Sequence, residues 1–272
     1  MKDFLKVMAQ ASAARAAALQ PIESPNMLDK PAYSLLLQGF DLVAELKNRS
    51  PAEGPLATGG ENRAERAMQY VHGGAAAISV LTEPSHFDGE LVHLQDVVAA
   101  VSAQRVPVMR KDFLVDPAQI LEAKAAGASG VLLIAAILDD RQLASMLDCA
   151  FEHDLFVLLE AFDESDMKRV AGMSQSDRIA EQAANQKFLI GVNTRDLRTL
   201  EIDGTRLQQF APLIPDGVTS VAESGLKTAA DAAKVAEWGY DAALVGTALM
   251  RADNPGELIG DMLRAGRGRL AA

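Results

Sequence analysis

Two opposite charges stand two residues apart at the end of an apolar run that reads as a buried strand. Glu45 and Lys47 end the stretch "DLVAELK", and Ser50 and Pro51 follow shortly after it. Side chains i and i+2 of a strand point to the same side, so the two charges share one face. They form either a structural ion pair or part of a site, and the rest of the chain distinguishes these two readings.

Polar and charged residues also follow other apolar runs. They are Arg110 and Lys111 after the third run, Glu160 after the fifth, Asn193 and Arg195 after the sixth, and Glu223 after the seventh. One lysine–glutamate pair would be a structural salt bridge by default. Several such charges are harder to explain in this way, because each buried charge is costly unless it is paired. A lysine among other cations can donate a proton near neutral pH and a carboxylate can accept one, so we predict an acid–base site.

Small residues follow the last two apolar runs. They are Ser224 and Gly225 after the seventh run and Gly246 and Thr247 after the eighth. Small side chains leave backbone N–H groups accessible beside the start of a helix, which is a common way to bind phosphate. Turn chemistry alone is the alternative, since glycine permits unusual dihedral angles. Both ends together favour phosphate, and with the lysines and glutamates of the acid–base site they predict a phosphorylated and carboxylated substrate.

The apolar runs recur at intervals of roughly 25 to 35 residues, as alternating strands and helices require. The predicted strands are 41–46, 75–81, 106–110, 129–134, 155–160, 188–193, 218–223 and 241–246. Between them, Asp116 and Pro117 are typical of a helix start and Gly127 of a helix end. Eight strands with helices between them predict an α/β fold of the (β/α)8 TIM-barrel type, whose site forms where the strands finish. The alternative is an open doubly wound sheet, but no G-x-G-x-x-G turn follows the first strand.

We expect one domain over 1–272, because no Pro/Gly/Ser-rich linker divides the chain. Residues 1–40 precede the first strand and contain a helix-like stretch from Phe4 to Leu19. This N-terminal extension is expected to pack near the active-site end of the barrel. The polar segment 171–186 is long for a helix–strand connection, and we interpret it as a surface insertion without chemistry.

Composition excludes several classes of protein. The net charge of −11 argues against nucleic-acid and anionic-membrane partners. No apolar run approaches the roughly 20 residues of a membrane helix, and the N-terminus lacks the apolar core of a signal peptide. The single cysteine, Cys149, fits a reducing compartment, so we expect a cytoplasmic protein. The histidines lack metal-ligand spacing, and no metal site is expected.

Six motifs in order give the chain a more specific resemblance. They are "AELKNRSPAEG", "SVLTEPSHFDGEL", "PVMRKDFLVDPAQILEAKAAGASGVLLIAAIL", "GVNTRDLRTLEID", "VAESGL" and "ALVGTALM". With these motifs the chain resembles the indole-3-glycerol phosphate synthase family from Asp41 to near Met250. The resemblance implies a tryptophan-pathway lyase that uses no cofactor or metal. Its substrate would be the phosphorylated, carboxylated aromatic compound 1-(2-carboxyphenylamino)-1-deoxyribulose 5-phosphate.

The resemblance also implies a role for each matching residue. Lys111 matches the general acid of ring closure, and Lys47 a second lysine that contacts substrate and donates a later proton. Glu45 and Glu160 match two catalytic glutamates whose division of the base work stays open, and Asn193 matches a residue that orients the substrate. The other matches are the substrate-binding residues Ser50, Arg195 and Glu223 and the phosphate-binding residues Ser224, Gly225, Gly246 and Thr247. The resemblance leaves the oligomeric state open, with a monomer as one option.

The chain departs from the family pattern in a few places. Phe162 stands where a small polar or imidazole side chain is frequent, Thr194 where a second asparagine is common, and Thr247 in place of a frequent serine. Segment 171–186 is longer than usual. None of these departures removes a proposed catalytic group.

Three rival functions were weighed against this one. The isomerase one step earlier in the same pathway uses a cysteine at the first strand end, where Glu45 and Lys47 stand. A Schiff-base aldolase would have a lysine at the sixth strand end, where Asn193 stands. A catalytically silent barrel that serves as a scaffold should have lost Lys47, Lys111 or Glu160, and all three are present.

Overall fold

Eight parallel strands close into one barrel in the computed structural model of the chain. The structure describes residues 4–22, 24–51, 53–56 and 62–270, with only the backbone described for Pro25 and for 269–270. Residues 1–3 and 23 of the predicted extension, Ala52 of the first motif and residues 271–272 lie outside the described residues.

Each barrel strand pairs with the next one along the chain, and the eighth pairs with the first. The strands are β1 (Asp41–Leu46), β2 (Ala77–Leu81), β3 (Val108–Lys111), β4 (Gly130–Ile134), β5 (Phe156–Ala161), β6 (Phe188–Asn193), β7 (Thr219–Glu223) and β8 (Ala242–Val245). Every predicted strand is present with bounds within two residues of those expected, so the prediction of a (β/α)8 barrel is confirmed. A short antiparallel hairpin, Arg49–Ser50 with Gly54–Pro55, follows β1.

The described helices include those that connect the strands on the outside of the barrel, the helix before β1 and the helices after β8. They are α1 (Phe4–Ala17), α2 (Arg63–Gly73), α3 (Pro84–Phe87), α4 (Leu91–Val101), α5 (Pro117–Ala126), α6 (Asp140–Glu152), α7 (Glu164–Met173), α8 (Asp177–Ala184), α9 (Arg206–Phe210), α10 (Ala229–Glu237), α11 (Thr247–Arg251) and α12 (Pro255–Leu270). Short 3-10 helices cover Pro25–Leu28, Ser102–Gln104, Ala135–Ile137 and Ala211–Leu213.

Helix α5 begins and ends as its sequence predicts. The Asp116 carboxylate accepts a hydrogen bond from the Ala118 amide at 2.8 Å, and the Gln119 side chain accepts one from the Asp116 amide in return. Gly127 ends the helix at φ 97°, a left-handed conformation that favours glycine. Local capping therefore fixes the start and end of this helix.

The segment 171–186 contains helical structure that was not predicted from its sequence, while its interpretation as a surface insertion without chemistry stays a prediction. It contains the end of α7 and the whole of α8. Ile179 and Ala183 of α8 are buried in the apolar core, and the remaining side chains are mostly exposed. The polar composition that suggested an insertion belongs to the solvent-facing side of an amphipathic helix.

The apolar core has two parts. One lies between the strands and the surrounding helices, and the other fills the inside of the barrel. Leu5 and Met8 of α1 belong to the inner part together with barrel residues such as Met109 and Leu132. The N-terminal helix therefore packs against the barrel interior, and it ends at Ala17 instead of the expected Leu19.

Polar contacts hold α1 in this place. The Arg15 guanidinium pairs with the buried Asp112 carboxylate at 2.6 Å, and Gln119 donates a hydrogen bond to the Ser12 hydroxyl at 2.9 Å. Asp112 follows Lys111 at the end of β3. The helix is thus tied to the same end of the barrel that carries the predicted site residues.

The strand register brings the carboxyl ends to the same level. Lys111 pairs with Leu81 of β2, Glu160 with Ile134 of β4, and Asn193 with Glu223 of β7. Residues that are far apart in the sequence therefore meet at one mouth.

Candidate active site

One pocket opens at the carboxyl ends of the strands, and all twelve predicted site residues line it. They are Glu45, Lys47, Ser50, Lys111, Glu160, Asn193, Arg195, Glu223, Ser224, Gly225, Gly246 and Thr247. Arg110 lies elsewhere, although it ends the same strand as Lys111. Its guanidinium pairs with Glu122 at 2.6 Å and with Asp112, because consecutive strand residues point to opposite sides.

The Lys111 ammonium lies between two buried carboxylates. Its Nζ is 3.3 Å from Glu160 Oε2 and 3.1 Å from Glu223 Oε2, and both glutamates are 1% exposed. Asn193 donates a hydrogen bond to Glu160 Oε1 at 3.1 Å, and its own oxygen accepts one from the Arg195 amide. These bonds fix which way the Asn193 amide points. The site thus holds one cation and two acids on three different strands.

The electrostatics of Lys111 differ from the expectation that other cations would lower its pKa. Burial by itself lowers the pKa of Lys111, but the charges of Glu223, Glu160 and Glu45 outweigh burial and raise it. The expectation was wrong because the nearest neighbours of this lysine are carboxylates. Lys111 is therefore fully protonated at neutral pH, and its proton is available when charge develops on a bound molecule.

Glu223 lies close to both a cation, Lys111, and another carboxylate, Glu160. Burial, together with the nearby Glu160, raises the pKa of Glu223 to about 8 despite the attraction of Lys111. One oxygen of Glu223, Oε1, has no hydrogen-bond partner among the described residues. The pocket can therefore hold an additional proton on Glu223 near neutral pH.

Glu45 and Lys47 form an ion pair in the same pocket, with Lys47 Nζ 2.6 Å from Glu45 Oε2. Burial raises the pKa of Glu45, but Lys47 and Lys111 together lower it below its ordinary value. The two side chains do point the same way, and both line the pocket. They are an ion pair and part of the site at once.

Two glycines leave room for these carboxylates. A Cβ at Gly246 would lie 2.1 Å from Glu45 Oε2, and a Cβ at Gly191 would lie 2.1 Å from Glu223 Oε1. Gly191 was missed from the sequence, although a glycine inside the apolar strand "FLIGVN" signals a close approach of another group. Glu223 reaches its position only because Gly191 of the neighbouring strand has no side chain.

The expected phosphate-binding residues lie together on one side of the pocket. Ser224 and Gly225 adopt consecutive left-handed conformations, at φ 66° and 85°, directly after β7. Gly246 and Thr247 lead into α11 after the adjacent strand β8. This backbone conformation places the small residues at the edge of the pocket.

Aromatic rings line another side of the pocket, a feature that was also missed. Phe4 of α1, Phe87 and Phe113 form a chain of contacts with ring centroids 6.2 Å apart in both pairs. Leu81, Leu132 and Ile134 continue this apolar wall. The wall suits a flat apolar group, and α1 contributes to it through Phe4.

The departures from the family pattern leave the pocket intact. Phe162 is fully buried outside the pocket lining, with the Arg198 guanidinium 4.6 Å from its ring centre. Thr194 is buried and its hydroxyl lies 3.4 Å from the Glu223 carbonyl oxygen. Thr247 lines the pocket at the position where a serine is frequent.

Three further features concern the described part of the chain. No group of three or more His, Cys, Asp or Glu side chains in it could hold a metal ion. None of its helices is long and apolar enough to cross a membrane. Cys149 lies in α6, where burial raises the pKa of its thiol to about 11.

Comparisons with known proteins agree with this geometry. A family model described as indole-3-glycerol phosphate synthase matches residues 6–262. The indole-3-glycerol phosphate synthase of Mycobacterium leprae (strain Br4923) is 40% identical over 259 residues, 95% of this chain and 87% of that protein. That of Mycolicibacterium smegmatis is 42% identical over 228 residues, 84% of this chain and 78% of that protein.

Solved structures at low identity share the fold alone. The 3-hexulose-6-phosphate synthase of Salmonella typhimurium aligns with a TM-score of 0.64 at 14% identity. The alignment covers 84% of this chain and 99% of that chain.

The raised pKa of Glu223 predicts a pH-dependent stability. Its value is about 8 in the folded protein against an ordinary 4.5, so the folded protein binds more protons than the unfolded chain between these values. The free energy of unfolding therefore falls as pH rises through this window, by at most about 1.4 kcal/mol per pH unit for this group. A Glu223→Gln variant should gain stability relative to wild type as pH rises from about 5 to about 8.

Urea denaturation across this pH range measures the difference. Glu237→Gln, an exposed change on α10, is the matched control and should follow the wild-type curve. If the free energies of unfolding of wild type and Glu223→Gln changed in parallel with pH, the pKa of Glu223 would not be raised in the folded protein.

Proposed function

This chain belongs to the indole-3-glycerol phosphate synthase family, carboxy-lyases of tryptophan biosynthesis, and we propose that its pocket catalyses ring closure with Lys111 as proton donor. In this reaction 1-(2-carboxyphenylamino)-1-deoxyribulose 5-phosphate loses carbon dioxide and water and becomes indole-3-glycerol phosphate. The observation that carries the proposal is the charged Lys111 ammonium held between Glu160 and Glu223 at the mouth of the barrel.

The pocket offers a complementary surface to each part of this substrate. The phosphate is assigned to the small residues after β7 and β8, namely Ser224, Gly225, Gly246 and Thr247. The aromatic ring is assigned to the wall that Phe4, Phe87 and Phe113 form. The substrate carboxylate is assigned to the cations Lys47 and Arg195, with Ser50 as a further hydrogen-bonding group in the pocket.

Ring closure requires a proton on the ketone oxygen. The ring carbon that bears the carboxylate forms a bond to the ketone carbon, and the carbonyl electron pair moves onto its oxygen. Lys111 donates a proton to that oxygen from Nζ, and the proton on Glu223 can replace it. The C–CO2 bond then breaks, carbon dioxide leaves, and its electron pair restores the aromatic ring.

Dehydration requires an acid and a base. The hydroxyl formed in the first step leaves as water with a proton that we assign to Lys47. The sugar carbon that lies between the former ketone carbon and the nitrogen loses a proton, and the electron pair of that C–H bond forms the indole double bond. We assign this base work to Glu160, because the Glu45 carboxylate is already engaged by the closer ammonium of Lys47, at 2.6 Å. Asn193 holds the Glu160 carboxylate in position.

A single chain supplies every assigned group, so the site needs no second subunit, and we propose that the protein acts as a monomer. Its only cysteine is unpaired, which suits a reducing compartment. A cytoplasmic location is proposed on this ground.

The role of Lys111 as a proton donor predicts that charge alone cannot replace it. Lys111→Arg keeps a cation between the two glutamates, but a guanidinium does not release its proton in proteins. Both Lys111→Arg and Lys111→Met should lower kcat by about 10²- to 10⁴-fold, the usual contribution of a positioned acid. Indole fluorescence during turnover gives kcat, and Lys168→Met, an exposed lysine of α7, is the control.

Circular dichroism establishes that each variant is folded. If Lys111→Arg kept nearly the wild-type kcat, Lys111 would act only through its charge, and another residue would have to be the proton donor.

The phosphate assignment predicts a charge effect at Ser224. Asn and Asp both tolerate the left-handed backbone found there, so Ser224→Asn and Ser224→Asp differ mainly in charge. Repulsion of the substrate phosphate should raise KM for Ser224→Asp at least about tenfold above that for Ser224→Asn. Steady-state kinetics measure both, and equal KM values would place the phosphate elsewhere.

A further inference from the structure

A second cavity, of about 410 Å³, lies at the opposite end of the barrel from the active site. The segment 28–35 forms one side of it. The other side consists of residues at or just before the amino ends of β4, β5 and β6, including Ser129, Asp154 and Lys187. Lys124, in the last turn of α5, also lines this cavity. Its lining is therefore built from polar and charged groups.

Lys124 is a lysine whose side chain lies along the wall of this cavity. Only 6% of the residue is exposed, and the hydrogen bonds and ion pairs found among the described residues include none from its ammonium. The charges that act on its ammonium most strongly are Asp154, Asp29 and Lys187, all of which line the same cavity. The ammonium therefore faces the cavity.

The charges around Lys124 do not compensate for its burial. Burial lowers the pKa of Lys124, and the attraction of Asp154 and Asp29 is too weak to reverse this effect. Asp154 is already engaged, since Lys187 Nζ lies 2.7 Å from its Oδ1. Asp29 is exposed to solvent. The Lys124 ammonium is therefore available to pair with an opposite charge that enters the cavity.

Other groups of the cavity can donate hydrogen bonds. The Ser129 oxygen accepts a hydrogen bond from the Tyr33 amide at 3.0 Å, which leaves the Ser129 hydroxyl hydrogen free for another acceptor. Lys30 reaches over Gly127, with its side chain 3.6 Å from the position of a Cβ there. Lys30 adds a further cation to Lys124 and Lys187 in the lining of the cavity.

We propose that this cavity binds a small oxyanion, a carboxylate or a phosphate group, with Lys124 as its ion-pair partner and Ser129 as a hydrogen-bond donor. An oxyanion supplies the acceptor and the negative charge that Lys124 lacks, and charge-assisted hydrogen bonds are the strong ones. The site is independent of the catalytic pocket, because it shares no residue with the pocket at the other end of the barrel.

The test uses the full chain with Ser224→Asp as background, so that phosphate binding in the catalytic pocket is weakened. Inorganic phosphate and succinate are added separately at constant ionic strength, and the thermal midpoint is recorded against concentration. A ligand that binds only the folded state raises this midpoint in a saturable way, which gives an apparent Kd. Lys124→Met should weaken that affinity at least about tenfold, because it removes the charged partner. The control Lys168→Met should leave it unchanged.

The two ligands distinguish the chemistry of the site. A response to phosphate alone, to succinate alone or to both supports the proposal and names the oxyanion. No saturable response to either ligand, or the same affinity in Lys124→Met, would overturn it.

A second measurement does not depend on whether a Lys124 variant folds. Nuclear magnetic resonance of lysine labelled at Cε should detect one buried lysine whose pKa rises when the effective oxyanion is added in place of chloride. A pKa of Lys124 that is the same in both salts would also contradict the proposal.

Discussion

The structure of the active site depends on one interaction, the Lys111 ammonium held between the buried carboxylates of Glu160 and Glu223. The three side chains come from β3, β5 and β7, so they meet only when the barrel closes. Burial makes each charge costly on its own, and mutual pairing offsets much of that cost. The same burial raises the pKa of Glu223 and leaves a proton available beside the lysine.

Much of the surrounding structure serves to position this cluster. Gly191 leaves space for the Glu223 carboxylate, and Gly246 leaves space for Glu45. The helix α1 covers the barrel interior and is tied by Arg15 to Asp112, the residue that follows Lys111. A change in any of these contacts would disturb the position of the charged side chains in this cluster.

The sequence predicted the fold and the residues that line the pocket, because both depend on where the strands end. The alternation of strand and helix located the eight strands. The polar and small residues that follow most of these strands indicated which residues meet. The sequence could not predict the charge state of Lys111. This charge state depends on the carboxylates of Glu160 and Glu223, which come from other strands and lie 3.1 to 3.3 Å from Lys111 Nζ. Gly191 was missed for the same reason, and the helix α8 was not predicted because only Ile179 and Ala183 reveal its buried side.

The ionisation of Lys111 is the most direct test of this view of the site. Titration of the protein with lysine labelled at Cε, followed by nuclear magnetic resonance and assigned with Lys111→Arg, reports its pKa. We expect Lys111 to remain charged at a pH where ordinary lysines, with a pKa of about 10.4, have begun to titrate. A pKa of Lys111 below that ordinary value would contradict a lysine held by carboxylates and would favour one surrounded by cations.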